Sequence, residues 1–265
     1  MAYEKISYKE YHQRAGLNQS TIKRILDDPN KYALSIDISK KTEAMNFGAL
    51  CHDLLLSPAE LGDKYLFSKF DTLDFRKKEC KDERADAEKL GLILVDRVTL
   101  DRAKLLLEYN NDILNTFFNK KDGDCELSLF KKLNGRDCKA RFDFISNDKK
   151  MICDLKIMQS AKKDNFMQSI AKFGYHIQAA FYMQMTGATS FYFIVIEKEP
   201  PFMCGVYELD ISALDLGRER INNAFDILAN ISHYQTNCYS YFDKETKQNE
   251  VVQMVGLPTW AFYQS

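Results

Sequence analysis

Apolar positions in this chain change rhythm near residue 125: before it they recur three and four residues apart, and after it they alternate in steps of two. The first 120 residues therefore read as mostly helical. In LNQSTIKRIL, Asn18 or Ser20 can cap a short helix that Asp28-Pro29 terminates. Thr42 can cap a second helix, TEAMNFGALCHDLLL, which runs to Ser57-Pro58. Residues 79 to 118 are highly charged but carry Leu90, Ile93, Leu94, Val98, Leu105, Leu106 and Ile113, the pattern of amphipathic helices with solvated outer faces.

Beyond that point CELSLFKKLNGRDCKARFDFIS alternates on both sides of Asn134-Gly135, predicting a β-hairpin with a type I′ turn. A turn at Asn147-Asp148 leads to MICDLKIM, a largely buried strand. Residues 162 to 186 return to helical character, interrupted at Gly174 and ending at Gly187. Two strands, SFYFIVIE and FMCGVYELD, and a helix over about 211 to 232 follow. The order predicts an α/β fold, a central mixed β-sheet flanked by helices with a helical N-terminal region, in a single domain spanning 1–265.

Asp-x-Lys occurs three times, and the strand pattern separates the copies. Asp137 and Asp148 fall beside turns, where charged residues are solvated as a matter of course. Asp154 and Lys156 instead interrupt an apolar strand, and period two sets both on one face. Burying a carboxylate and an ammonium together costs free energy; either a structural ion pair or a working site accounts for it. Asp143, flanked by Phe142 and Phe144 in the preceding strand, repeats the anomaly. Two carboxylates on neighbouring strands can converge on a divalent cation, and hard oxygen ligands suit magnesium, with manganese as a substitute. A cation there fits phosphodiester hydrolysis, with Lys156 orienting water or stabilising charge in the transition state.

The run from Asp143 to Asp154-Leu155-Lys156 resembles the PD-(D/E)XK nuclease core, in which the aspartates and the carbonyl after the second bind metal; the resemblance thus implies Asp143, Asp154 and Leu155 as ligands. FGALCHDLLLSP resembles the motif of RecB-type and RecE-type nucleases in which a helical His joins the metal site, implying His52. HIQAAFYMQM resembles their Q-x-x-x-Y element and places Gln178 and Tyr182 in the active site. LNQSTIKRILDDPNKY and LPTWAFY are similar to the two ends of RecE-like proteins. Glu126 resembles an acidic position that often precedes the PD-(D/E)XK aspartate. Plainer roles exist for several of these: a core or surface histidine at His52, an i, i+4 helix pair for Gln178 and Tyr182, a solvated strand end for Glu126, and capping or surface roles for Ser20 and Lys23, which could otherwise contact a DNA phosphate.

The resemblance to RecE-like exonucleases implies magnesium-dependent degradation of linear double-stranded DNA from its 5′ end. The resulting 3′ single-stranded tail would serve a RecT-like annealing protein, and the enzyme would be a homo-oligomer forming a tetrameric ring. An endonuclease or single-strand-specific nuclease of the same fold, or a non-catalytic DNA-binding protein, stands as the alternative. Composition narrows the picture further. Lys plus Arg number 37 against 38 for Asp plus Glu, a net charge of −1, so any DNA-binding surface has to be a local patch. The seven cysteines include no C-x-x-C pair, and Cys204 and Cys238 lie 34 residues apart, unlike the closely spaced C-terminal group of the iron-sulfur-binding Cas4 and AddB relatives. No iron-sulfur cluster is expected, and the thiols read as free and buried. There is no apolar run of signal-peptide or membrane-spanning length, so a soluble, cytoplasmic protein with no membrane partner is expected.

Overall fold

The computed structural model of the chain describes residues 2–35 and 43–236 and a few short pieces beyond them. Thr42 and most of LPTWAFY lie outside the described residues. The chain divides into two compact units, one of residues 1–19 and 40–219, the other of residues 20–39 and 220–265.

Taken along the chain, the helical part begins with a strand β1 (Ala2–Glu4) and helices α1 (Tyr8–Gln13), α2 (Gln19–Asp27) and α3 (Pro29–Ala33). Asp28-Pro29 ends α2 as expected but also starts α3, because Asp28 accepts the Lys31 amide at 2.9 Å and Pro29 suits a first helical turn. Helices α4 (Glu43–Leu56) and α5 (Leu61–Lys64), strand β2 (Tyr65–Phe67), α6 (Lys78–Leu90), strand β3 (Ile93–Val95), α7 (Arg97–Tyr109) and α8 (Asn111–Phe117) follow. Ile93 and Leu94, expected on a helix, belong instead to β3, which pairs in parallel with β2. Gly91 explains the change: at φ 69° it takes the left-handed conformation and caps α6, so the helix cannot reach Ile93.

The strands β4 (Gly123–Leu133), β5 (Arg136–Ser146) and β6 (Met151–Met158) coincide closely with the alternating segments. Asn134 and Gly135 turn between β4 and β5 with φ 49° and 76°, both positive as a type I′ turn requires. Helices α9 (Lys163–Phe173) and α10 (Tyr175–Thr186) then cross to β7 (Ser190–Glu197), with left-handed Gly174 and Gly187 at their ends. Strand β8 (Cys204–Glu208), helix α11 (Ile211–Ala229) and the small strands β9 (Tyr241–Phe242) and β10 (Asn249–Glu250) complete the chain.

The main sheet has six strands in the order β1-β4-β5-β6-β7-β8. Only β6 and β7 run parallel, as their helical crossover dictates. A core of Leu50, Cys51, Leu106, Phe144, Cys153, Ile194 and Ile196, all buried, joins α4 and α7 to β5, β6 and β7. Cysteines 51, 80, 125, 138 and 153 are free and buried and Cys204 is half-buried, while Cys238 lies outside the described residues. Among the described residues no helix is long and apolar enough to cross a membrane.

Candidate active site

Three neighbouring strands open at one level of the sheet. Between β4 and β5, Cys125 pairs with Phe144 and Leu127 with Phe142, which sets Glu126 opposite Asp143 at a position outside the ladder. The β5–β6 pairing covers Ile145 with Ile152 and Phe144 with Cys153 and then stops, so the same register carries Asp143 opposite Asp154. At the break Glu126 adopts φ 57°, a left-handed conformation that a residue with a side chain holds only when its surroundings demand it. The opening also frees the Leu155 amide, which donates to Asp143 Oδ2 at 2.9 Å in place of a ladder bond.

Helix α4 brings His52 to this gap. Gly48, one turn earlier, faces Ile157 of β6, where an added Cβ would make an ordinary van der Waals contact at 3.8 Å. His52 Nε2 lies 2.9 Å from Asp143 Oδ1, and its Nδ1 lies 3.5 Å from Glu126 Oε1. The second Glu126 oxygen takes the Arg141 guanidinium, which also donates to the Ile6 carbonyl at 2.8 Å. Burial pulls the His52 pKa down, but the Asp143 and Glu126 carboxylates outweigh it and hold the imidazole at about 9. Burial raises Asp143, yet His52, Lys156 and the Leu155 amide together bring it below the usual carboxylate range.

On the other side of the opening, Asp154 is 2% exposed. Gln178 of α10 donates to its Oδ1, and the Lys156 ammonium forms an ion pair at its Oδ2, which otherwise has no hydrogen-bond partner. Burial, helped by Asp143, drives the Asp154 pKa up to about 6 against the pull of Lys156. Burial disfavours the Lys156 charge, but Asp154 and Asp143 more than restore it, and the amine stays protonated well above neutrality. Tyr182 is buried and packs edge-on against Phe142 at 5.0 Å. Burial, then Tyr11 and the carboxylates of Asp154, Asp143 and Glu126, push its phenol far up, so it stays neutral.

The structure thus gathers six of the expected residues into two linked groups, His52 with Glu126 and Asp143, and Asp154 with Lys156 and Gln178, while Tyr182 packs against Phe142 outside both. One ligand atom from each of His52, Glu126 and Asp143 fits within 4.8 Å of the others, a spacing that could hold a metal ion. Two carboxylates and an imidazole suit a divalent cation. Glu126 joins His52 and Asp143, two of the expected ligands; of the other two, Asp154 is held by Gln178 and Lys156, and the Leu155 amide donates to Asp143. The reading of Glu126 as a solvated strand end is excluded, since it is buried and ion-paired. Asp137 and Asp148 lie at the surface as expected, Asp137 paired with Lys132 at 2.8 Å and Asp148 bracing its turn through the Lys150 amide at 3.0 Å. Ser20 and Lys23 lie on α2, exposed and half-buried.

Two neighbours of the site were missed. Arg141 interrupts an apolar stretch two residues before Asp143, a signal of the same kind that marked Asp143 itself. Tyr175, whose ring lies 5.0 Å from the Lys156 ammonium, gave no such signal, because a tyrosine opening a helix is unremarkable in sequence.

A mixed sheet with an acidic opening at its centre, a lysine two residues beyond the second aspartate and a glutamine reaching in from the following helix defines a PD-(D/E)XK nuclease-type protein. The chain belongs to the family described as PDDEXK-like domain of unknown function (DUF3799), whose model matches residues 19–239. Among solved structures it is similar to an inferred exonuclease from Eubacterium rectale, with 13% identity, a TM-score of 0.61 and coverage of 88% of this chain and 89% of that one. A phage related exonuclease from Haemophilus somnus 129PT aligns at 12% identity and TM-score 0.33 over 83% of this chain and 98% of its own. The likeness to the Eubacterium rectale protein is one of fold. No curated protein matches the sequence.

Proposed function

We propose that this protein is a magnesium-dependent exodeoxyribonuclease acting on the ends of linear double-stranded DNA. The observation that carries the reading is the alignment of Glu126, Asp143 and Asp154 across three strands at the one level where both ladders break, with His52 and Lys156 against them. A protein that only bound DNA would gain nothing from burying carboxylates that repel phosphate.

A divalent cation bound by His52, Glu126 and Asp143 would neutralise a phosphate oxygen and acidify an attacking water. The chain's own groups supply the rest. Arg141 pairs with one oxygen of Glu126 while the other faces His52. The Leu155 amide fixes the second oxygen of Asp143. Gln178 orients Asp154, and Asp154 holds the Lys156 ammonium in place to stabilise charge developing on the phosphate. Because these groups are set by strands and a helix, little reorganisation is needed when substrate arrives.

The finer features follow from the likeness to RecE-like enzymes: degradation from the 5′ end, a 3′ tail passed to a RecT-like annealing protein, and a ring of identical subunits. The test is digestion of 5′-labelled and 3′-labelled linear duplex with magnesium, beside a closed circle. Early release of the 5′ label with the circle intact is expected. Cleavage of the circle would remove the exonuclease reading, and inertness of every substrate with magnesium and manganese would remove nuclease activity altogether.

A further inference from the structure

Lys156 is held on two sides. One is the Asp154 carboxylate already described; the other is aromatic. Its Nζ lies 5.0 Å from the ring centroid of Tyr175 and 5.9 Å from that of Phe193. Both distances are within the range over which an ammonium is attracted to the negative face of a ring. The placement follows from the backbone: Phe193 is the register partner of Asp154 on β7, so its ring is brought alongside the Asp154 and Lys156 side chains, and Tyr175 is the first residue of α10 after the left-handed Gly174. The rings do not act singly. Tyr175 and Phe193 lie 5.7 Å apart, and Phe166 packs on both, at 5.9 and 5.5 Å, with Tyr207 stacked at 4.8 Å behind it. Phe193 and Phe166 are fully buried, so this cluster has no freedom to follow a wandering lysine.

We propose that Tyr175 is a positioning residue: with Phe193 it forms an aromatic seat that fixes the Lys156 ammonium at the reaction centre through its ring face. A lysine side chain has four rotatable bonds, and an ion pair to Asp154 alone fixes its distance from one carboxylate but not its direction. A ring face beside the ammonium restricts that freedom without adding a further anion, which would repel phosphate. The kinetic consequence rests on the nuclease reading; the seating of Lys156 does not.

The test compares Tyr175→Phe with Tyr175→Leu in the full chain. Steady-state cleavage of linear duplex should give a Tyr175→Leu variant slowed about tenfold in kcat with KM for DNA little changed, the size of one cation–π contact, while Tyr175→Phe stays within about twofold of the parent. In parallel, lysine labelled with carbon-13 at Cε should show the Lys156 methylene, identified by its absence from Lys156→Arg, shifted upfield by the rings. That shift should persist in Tyr175→Phe and collapse in Tyr175→Leu. A Tyr175→Leu enzyme as fast as the parent, or a Tyr175→Phe enzyme as slow as Tyr175→Leu, overturns the proposal, and so does an unshifted Lys156 methylene. Should the parent cleave no DNA, the nuclease reading fails, and the methylene shift still decides whether the seat exists.

Discussion

The imidazole of His52 and the carboxylate of Asp143 meet at 2.9 Å across the gap between α4 and β5, and the pair makes the metal-free protein sensitive to pH. His52 is held at about 9, above its usual 6.5, because Asp143 and Glu126 outweigh burial. Its contribution to stability is therefore complete below about pH 6.5 and is lost as pH rises through about 9. In a chelator, the urea midpoint should fall between those limits, and His52→Gln should flatten the fall. An equal slope in the variant would assign it elsewhere. A cation entering the cluster must also displace the His52 proton, so its affinity should rise with pH, with proton uptake by the buffer detectable calorimetrically.

Asp154 and Lys156 predict a contrast between two substitutions at one position. Asp154→Asn keeps the shape of the side chain and one acceptor oxygen but not the charge that balances Lys156, and should abolish cleavage at a smaller cost in stability than alanine. Asp154→Ala strands the Lys156 ammonium and the Gln178 amide in a buried place, and should cost about 1–3 kcal/mol in addition to activity. The sequence alone suggests the opposite for alanine, relief of a crowded carboxylate, because the Gln178 contact is invisible there. Chemical denaturation of both variants in chelator distinguishes them; equal stability would show that the pair is solvated.

Gln178 provides a cleaner measure of orientation, since it touches Asp154 and carries no charge. Gln178→Ala should lower turnover by about 10- to 100-fold, as expected for a residue that orients another at a metal site. Raising magnesium should recover little of it if Asp154 acts on substrate, and most of it if Asp154 acts on the cation. Full activity at all magnesium concentrations would show that Gln178 serves packing.

Much of this site was legible because charge interrupted apolar strands: Asp143 between two phenylalanines, and Asp154 and Lys156 within MICDLKIM. Strand limits were legible for a related reason, Asn134-Gly135 and Asn147-Asp148 being turn-formers between alternating runs. The role of Glu126 was harder to read. Its approach to His52 depends on a left-handed backbone and a ladder break, and neither leaves a trace in the alternation of side chains. The strands β1, β2 and β3 have three residues each, too few to display a period, and their pairing is decided by distant partners. The division of the acids into a metal-capable cluster and an ion pair is also tertiary: it turns on which helix, α4 or α10, reaches each carboxylate.

Gly217 of α11 tests how far the site depends on packing remote from it. A Cβ there would stand 2.4 Å from the His176 carbonyl oxygen and 2.8 Å from the Ala180 Cβ, so α11 crosses α10 at a point that admits no side chain. Backbone atoms cannot swing aside, and Gly217→Ala should cost about 1–3 kcal/mol through displacement of α10. The same displacement moves Gln178, two residues from His176, and activity should fall together with stability. Gly62→Ala in α5 is the matched control, because nothing lies within 4 Å of its added Cβ and alanine favours a helix. Thermal melts and turnover of the two variants read the effect directly: a Gly217→Ala protein as stable and active as Gly62→Ala would mean that α10 has room to shift without disturbing Asp154.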